Sequence, residues 1–210
     1  MMLPADDSPP YLQPYRWVER RHGADFRTTL WANGASQRRR FEVLAETYAL
    51  ANRRVLDAGA GMGDLLAYLE ETRQPPASYV GLDALAEVIG QARRRCFVTP
   101  AEFIRGDLLA NPDLLKRSDP EVIVISGTLN TFSNEQFYLA LDHAFAAASH
   151  CLLFNYLSIY NSDRFPTSDG MIQRRDPVRV FQHGLQHTRH IIVRHDYFDG
   201  HDCTMAWIKG

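Results

Sequence analysis

Lysine is nearly missing from this chain of 210 residues: only Lys116 and Lys209 occur, so 23 − 2 leaves 21 arginines among its 23 basic residues. Acidic residues number 25 and the formal net charge is −2, which leaves no overall field to draw the chain onto nucleic acid or an anionic membrane. Cysteine is also scarce. Cys96, Cys151 and Cys203 stand alone, odd in number and without a CxxC pair, which argues against a disulfide framework or a thiolate metal site. A reducing, cytoplasmic setting is the expectation, with Cys151 and Cys203 acting as small core residues. No apolar run approaches ~18 residues, so no membrane-crossing helix is expected. The N-terminal stretch "MMLPADDSPPYLQP" is acidic and proline-rich, and lacks the basic and apolar regions of a signal peptide. What remains is ordinary for one globular domain: 45% hydrophobic and 23% charged residues, without repeats or low-complexity tracts.

Residues 1 to about 14 read as a loose leader whose four prolines break helices, and residues 1–35 together as leader and lid. From Trp17 to Leu50 the pattern is helical, with Ser36 as candidate N-cap of "SQRRRFEVLAETYAL". Strands and helices then alternate: "RRVLDAG", "GDLLAYLEETR", "SYVGLDA", "LAEVIGQARRR", "AEFIRGDLL", "PEVIVISG", "NEQFYLALDHAFAAAS" and "CLLFNYLS". Such alternation predicts a doubly wound, mostly parallel sheet with helices on both faces, spanning 36–210. Residues 157–176 form a long polar connection. Asp176-Pro177 then caps a short helix through about Gln186. "RHIIVRHDYF" and "DCTMAWIKG", joined by the tight-turn composition "DGHD", predict an antiparallel hairpin ending the sheet.

The stretch "VLDAGAGMGD" (55–64) places a glycine-rich turn between the first strand and its helix. A dinucleotide fingerprint needs G-x-G-x-x-G, but the third glycine position is Asp64, an acid near where a pyrophosphate must sit. No G-K-S/T follows, so a triphosphate loop is excluded. The turn favours a cofactor without phosphates. Asp57, ending the first strand, suits a cationic group. Asp83, ending the second strand, suits the hydroxyls of a ribose, and Asp107, ending the third, suits an adenine amino group.

"VLDAGAGMGD", "YVGLDAL", "FIRGDLL" and "VIVISGTLN" together resemble the successive motifs of class I S-adenosylmethionine-dependent methyltransferases, over roughly residues 36 to 156. The resemblance implies a Rossmann-like fold with an antiparallel last strand and S-adenosylmethionine as cofactor. It implies that Gly59, Ala60, Gly61 and Gly63 approach the methionine part, with Asp57 at its amine. Asp83 and Ala84 would hold the ribose, Asp107 and Leu108 bracket the adenine, and Gly127 lines the opposite side. Trp31 and Gln37, in an N-terminal segment of the kind that closes over the cofactor, are assigned with them. The expected activity is O- or N-methylation of a small molecule, with no nucleic-acid or membrane partner. The rivals are a related protein that holds the cofactor without turnover, and a nucleotide-dependent oxidoreductase on a similar fold.

The acceptor is less legible. "SGTLN" replaces the N/D-P-P-Y stretch of amide and ring-nitrogen methylation, and the proline-cysteine nucleophile of cytosine-C5 enzymes is missing. Candidate substrate residues are Tyr156, Tyr160, Arg164 and Arg174 from the strand exit and the long connection, since long connections often carry sites. Tyr15, Trp17 and Arg27 are candidates from the N-terminal segment. His183 and His187 lie four apart, but no carboxylate at motif spacing completes a metal set, so no metal is expected. The clusters Arg38–Arg40 and Arg93–Arg95 lie on predicted helices and read as solvated faces.

Overall fold

The computed structural model describes residues 8–23, 25–162 and 172–210. Seven strands form one sheet: β1 (Arg54–Ala58), β2 (Ser78–Asp83), β3 (Ala101–Arg105), β4 (Val122–Ile125), β5 (Cys151–Leu157), β6 (His190–Arg194) and β7 (Asp202–Ile208). Their order is β3-β2-β1-β4-β5-β7-β6. The first five are parallel neighbours, and β7 lies antiparallel between β5 and β6. This is a doubly wound, mostly parallel arrangement closed by one antiparallel hairpin.

The helices are α1 (Gln13–His22), α2 (Gly34–Thr47), α3 (Asp64–Glu71), α4 (Ala86–Arg94), α5 (Asn134–Ala147) and α6 (Pro177–Gly184). Central strands such as "VIVI" of β4 are buried at every position, as strands covered on both faces must be. Alternate side chains feed two cores. Leu56, Val80, Ile123, Phe154 and Trp207 pack under α5 and α6. Val55, Tyr79, Val124 and Leu153 pack under α2, α3 and α4. Helix α5 starts with a capping box, in which Ser133 Oγ accepts from the Gln136 amide and the Gln136 side chain accepts from the Ser133 amide.

Three local expectations change. The leader does not run to residue 14, because α1 starts at Gln13 with Pro14 in its first turn, where a missing N–H costs nothing. Tyr11, just before it, is 6% exposed. The cap of α2 is Asn33, whose side chain accepts from the Ser36 amide, so Ser36 lies inside the helix. In the hairpin, residues 195–201 connect the strands, longer than a two-residue turn. Phe198 (φ 49°), Asp199 (φ 50°) and Gly200 (φ 76°) are all left-handed there, so the Asp-Gly pair turns the chain inside a wider loop. Residues 163–171 of the long connection, including Arg164, lie outside the described residues.

Candidate functional site

The strand order reverses between β1 and β4, and a crevice opens there at the strands' C-terminal ends, the usual ligand position in open α/β sheets. Its lining comes from the glycine turn, the exits of β1 to β4 and the N-terminal segment. The glycine turn forms its floor. Gly59 (φ 92°) approaches β4's exit loop so closely that a Cβ there would fall 1.7 Å from Thr128 Oγ1. The Gly59 and Ala60 amides donate to the Leu82 carbonyl at 2.7 and 3.0 Å, locking the turn to β2. Gly61 and Ala60 line the crevice. Gly63 does not: at φ 80° it precedes α3, and a Cβ there would meet Phe103 and Phe97 instead.

Asp57, Asp83 and Asp107 all line the crevice. Asp57 is 2% exposed, and its Oδ2 accepts from the Tyr79 hydroxyl while its Oδ1 is buried without a partner. Burial pushes its carboxyl up to about 7, partly offset by the Tyr79 hydroxyl and reinforced by the charges of Asp83 and Asp64. Asp83 accepts from the Gly61 amide (3.0 Å) and the Leu85 amide (3.0 Å), and burial raises its carboxyl too. Asp107 accepts from Leu109, from Ala110 and, across 96 residues, from the Tyr11 hydroxyl at 2.7 Å. Ala84 and Leu108 line the wall beside these acids. Asp64 is not a bare charge. Arg95 binds its Oδ1 at 2.6 Å and Gln37 its Oδ2 at 3.3 Å, which weakens the repulsion that the sequence alone attributes to it.

The N-terminal segment closes the opposite side. Trp31 lies against Gly127 (φ 76°), where a Cβ would sit 2.6 Å from its ring, so only glycine admits this packing. The Gly127 amide donates to Asn155 Oδ1 (2.9 Å), and the Tyr15 hydroxyl reaches the Gly127 carbonyl at 3.5 Å. Gln37, Tyr11, Tyr15 and Thr28 complete this wall. Behind Trp31 stands Arg40, whose guanidinium lies 4.8 Å from the Trp31 ring and 4.9 Å from that of Phe198. Arg40 is 6% exposed and paired with Asp202 of β7, so this member of an arginine cluster is no solvated residue.

The candidate acceptor residues do not gather here. Tyr156 is 1% exposed, packed between Phe137 and Phe154 in the core, because β5 is buried at all seven positions. Tyr160 is exposed and outside the crevice, and Arg174 is spent on the Ser158 carbonyl (2.8 Å) and His201 Nδ1 (3.0 Å). Trp17 and Arg27 also lie off the lining; Arg27 pairs with Asp25 on the surface. Tyr11, Ser126, Thr128 and Phe132 line the crevice and are absent from the sequence-based set. The prolines around Tyr11 hid its role. Elsewhere, Asp142 of α5 meets both His183 and His187, a carboxylate that spacing along the chain could not reveal.

Residues 55–149 match the family described as "Methyltransferase domain". No curated protein matches the sequence. Among solved structures, the chain is similar to magnesium protoporphyrin IX methyltransferase from Synechocystis with bound S-adenosylhomocysteine (13% identity, 98% of this chain and 90% of that one, TM-score 0.60). It is similar to an S-adenosylmethionine-dependent methyltransferase from Archaeoglobus fulgidus (13% identity, 93% and 99%, TM-score 0.68). The small RNA methyltransferase HEN1 shares the fold as well, at 14% identity over 83% of this chain and 25% of that one, with TM-score 0.63.

Proposed function

From the premise that residues 55–149 form a class I S-adenosylmethionine-dependent methyltransferase domain, we propose that this chain methylates oxygen or nitrogen of an uncharged small molecule held in the crevice. The observation that carries this reading is the composition of the closed wall. The crevice is roofed by Tyr11, Leu12, Tyr15, Trp31 and Phe132, which suits a flat, apolar acceptor. Its titratable lining groups, among the described residues, are four aspartates and two tyrosines. Such a lining repels an anionic acceptor and welcomes a cationic cofactor.

When bound, S-adenosylmethionine supplies a sulfonium methyl group open to in-line attack. The protein residues bind and orient. The buried, unpartnered Asp57 Oδ1 fits a cationic amine, which would satisfy an atom that is costly to leave unpaired. An ionised carboxylate offers about four acceptor sites. Asp83 accepts from the Gly61 and Leu85 amides and still lines the crevice, where a ribose hydroxyl can meet it. Asp107 uses three, leaving capacity for one amino hydrogen of an adenine. Trp31, Tyr15 and Phe132 exclude water and place the acceptor for near-attack. Burial holds the Tyr11 and Tyr15 hydroxyls well above the usual phenol range, so both stay protonated as hydrogen-bond donors.

Labelled methyl groups from S-adenosylmethionine should pass into a small-molecule fraction of a metabolite extract and not into total RNA. Label in RNA alone would overturn the proposed acceptor class; binding with no transfer to anything would reveal a protein that only holds the cofactor. Asp83→Ala should weaken S-adenosylhomocysteine by about 10- to 100-fold in calorimetry, the size of one or two charge-assisted hydrogen bonds. Unchanged affinity would remove Asp83 from the ribose.

A further inference from the structure

Asp142 on α5, His183 on α6 and His187 in the turn after it converge on the helical face that covers β7, and none of the three lines the crevice. Their ligand atoms, the two Nε2 and one carboxylate oxygen, all lie within 4.8 Å of one another. His183 Nε2 is 2.6 Å and His187 Nε2 is 2.8 Å from the same atom, Asp142 Oδ1. An ionised carboxylate only accepts, so each imidazole carries its proton on Nε2 and aims it at one point. Two imidazoles directed at a shared oxygen form a preset in which a cation can replace both hydrogens.

We propose that Asp142, His183 and His187 bind one divalent transition-metal ion of the zinc type, with water in the remaining position. Nitrogen and carboxylate ligands in a three-residue set match that ion's preferences. A tetrahedral ion with bonds of about 2.0–2.1 Å needs its ligands about 3.3 Å apart. The observed 2.6 and 2.8 Å therefore open by roughly half an ångström on loading. Side-chain rotation supplies this, since all three groups are partly exposed (21%, 28% and 37%). On loading, each Nε2 gives up its proton, to Nδ1 or to water, so that its lone pair meets the ion.

The surroundings hold the rings in place. His187 stacks on Trp207 at 5.7 Å between centroids and 21° between planes, and His183 lies 4.6 Å from the Tyr138 ring. Gly184 brings this turn against Trp207, where a Cβ would come within 2.7 Å of the indole nitrogen. The ion would clamp α6, which precedes the edge hairpin, onto α5, which covers the central strands. It would act on stability, apart from the methyl-transfer site.

The test uses the full chain stripped with EDTA and titrated with zinc sulfate or cobalt(II) chloride. Saturable binding of one ion per chain is expected, with a rise in melting temperature of about 5 °C or more at saturating zinc. Cobalt should also quench Trp207 emission through the stacked His187. His187→Ala and Asp142→Asn should each weaken zinc by more than about tenfold while S-adenosylhomocysteine affinity stays unchanged. Asp142→Asn keeps the side chain's shape, so its loss of binding cannot be ascribed to unfolding. Unsaturable binding, or equal binding by wild type and both variants, would overturn the site and leave the three residues a hydrogen-bonded set alone.

Discussion

Asp57→Asn is expected to raise the melting temperature of the ligand-free protein at pH 8 and, in the same molecule, to weaken S-adenosylhomocysteine by about 30-fold or more. Both effects have one cause. In the folded chain the Asp57 carboxyl titrates at about 7, against 3.8 when solvated, because burial penalises its charge. The folded state thus holds a proton that the unfolded state has released. Stability from this site is complete below about pH 4 and is lost as pH rises through about 7. The gap of roughly three units corresponds to about 4 kcal/mol at most. Asparagine keeps the acceptor for the Tyr79 hydroxyl but buries an amide with unmet donors, costing about 1–3 kcal/mol. The net gain is therefore about 1–3 kcal/mol at most, or roughly 2–12 °C for a chain of this length. Below pH 5 the gain should vanish or reverse. A variant no more stable than wild type at pH 8 would show that the Asp57 charge is not strained. Ligand affinity equal to wild type would show that no cationic amine meets it, since losing one partner of a buried charge pair costs several kcal/mol.

Arg40→Met should destabilise the fold by about 3–5 kcal/mol, because it leaves the Asp202 carboxylate buried and unpaired. Arg40 contacts both Asp202 oxygens, through Nε to Oδ2 and through Nη2 to Oδ1 at 2.8 Å, and its Nη1 reaches the Ser36 carbonyl at 3.1 Å. Burial already raises the Asp202 carboxyl, with Arg40 restraining that rise, so the variant's Asp202 should protonate more readily. Removing both partners, in Arg40→Met with Asp202→Leu, should recover most of the lost stability. It should not recover cofactor affinity, because Trp31 loses the cation over its ring and its grip on the crevice wall. Thermal denaturation and calorimetry on the same samples separate the two effects. Equal stability of single and double variants would refute the account of Asp202 as a stranded charge.

Much of the fold was legible because its cues are local. The segments "PEVIVISG", "NEQFYLALDHAFAAAS" and "GDLLAYLEETR" each carry their cue within a few residues, and they hold β4, α5 and α3. The three strand-end acids were legible for a related reason: parallel strands entering one sheet bring their C-terminal ends to the same edge, so Asp57, Asp83 and Asp107 converge by topology. Tyr156 failed as a site residue because period-2 alternation says nothing where both faces of a strand are covered. The order of the last two strands was not legible either. A hairpin specifies antiparallel pairing, but which of its strands meets β5 depends on burial: β7 carries Trp207, Met205 and Cys203 inward, while β6 is left half-exposed at the edge.

The alternation of elements, the glycine turn and the acids that end three successive strands are written locally in the chain, because each depends on steric and hydrogen-bonding preferences within one strand-turn-helix unit. What surrounds them comes from long-range packing: Tyr11 on Asp107, Arg40 on Asp202 across 162 residues, and Asp142 on two histidines more than forty residues away. Those contacts are made by side chains whose distance along the chain carries no periodic signal. They exist because packing helices onto the sheet brings side chains from distant segments together, and where a charge is buried there, as at Asp202, it must be paired.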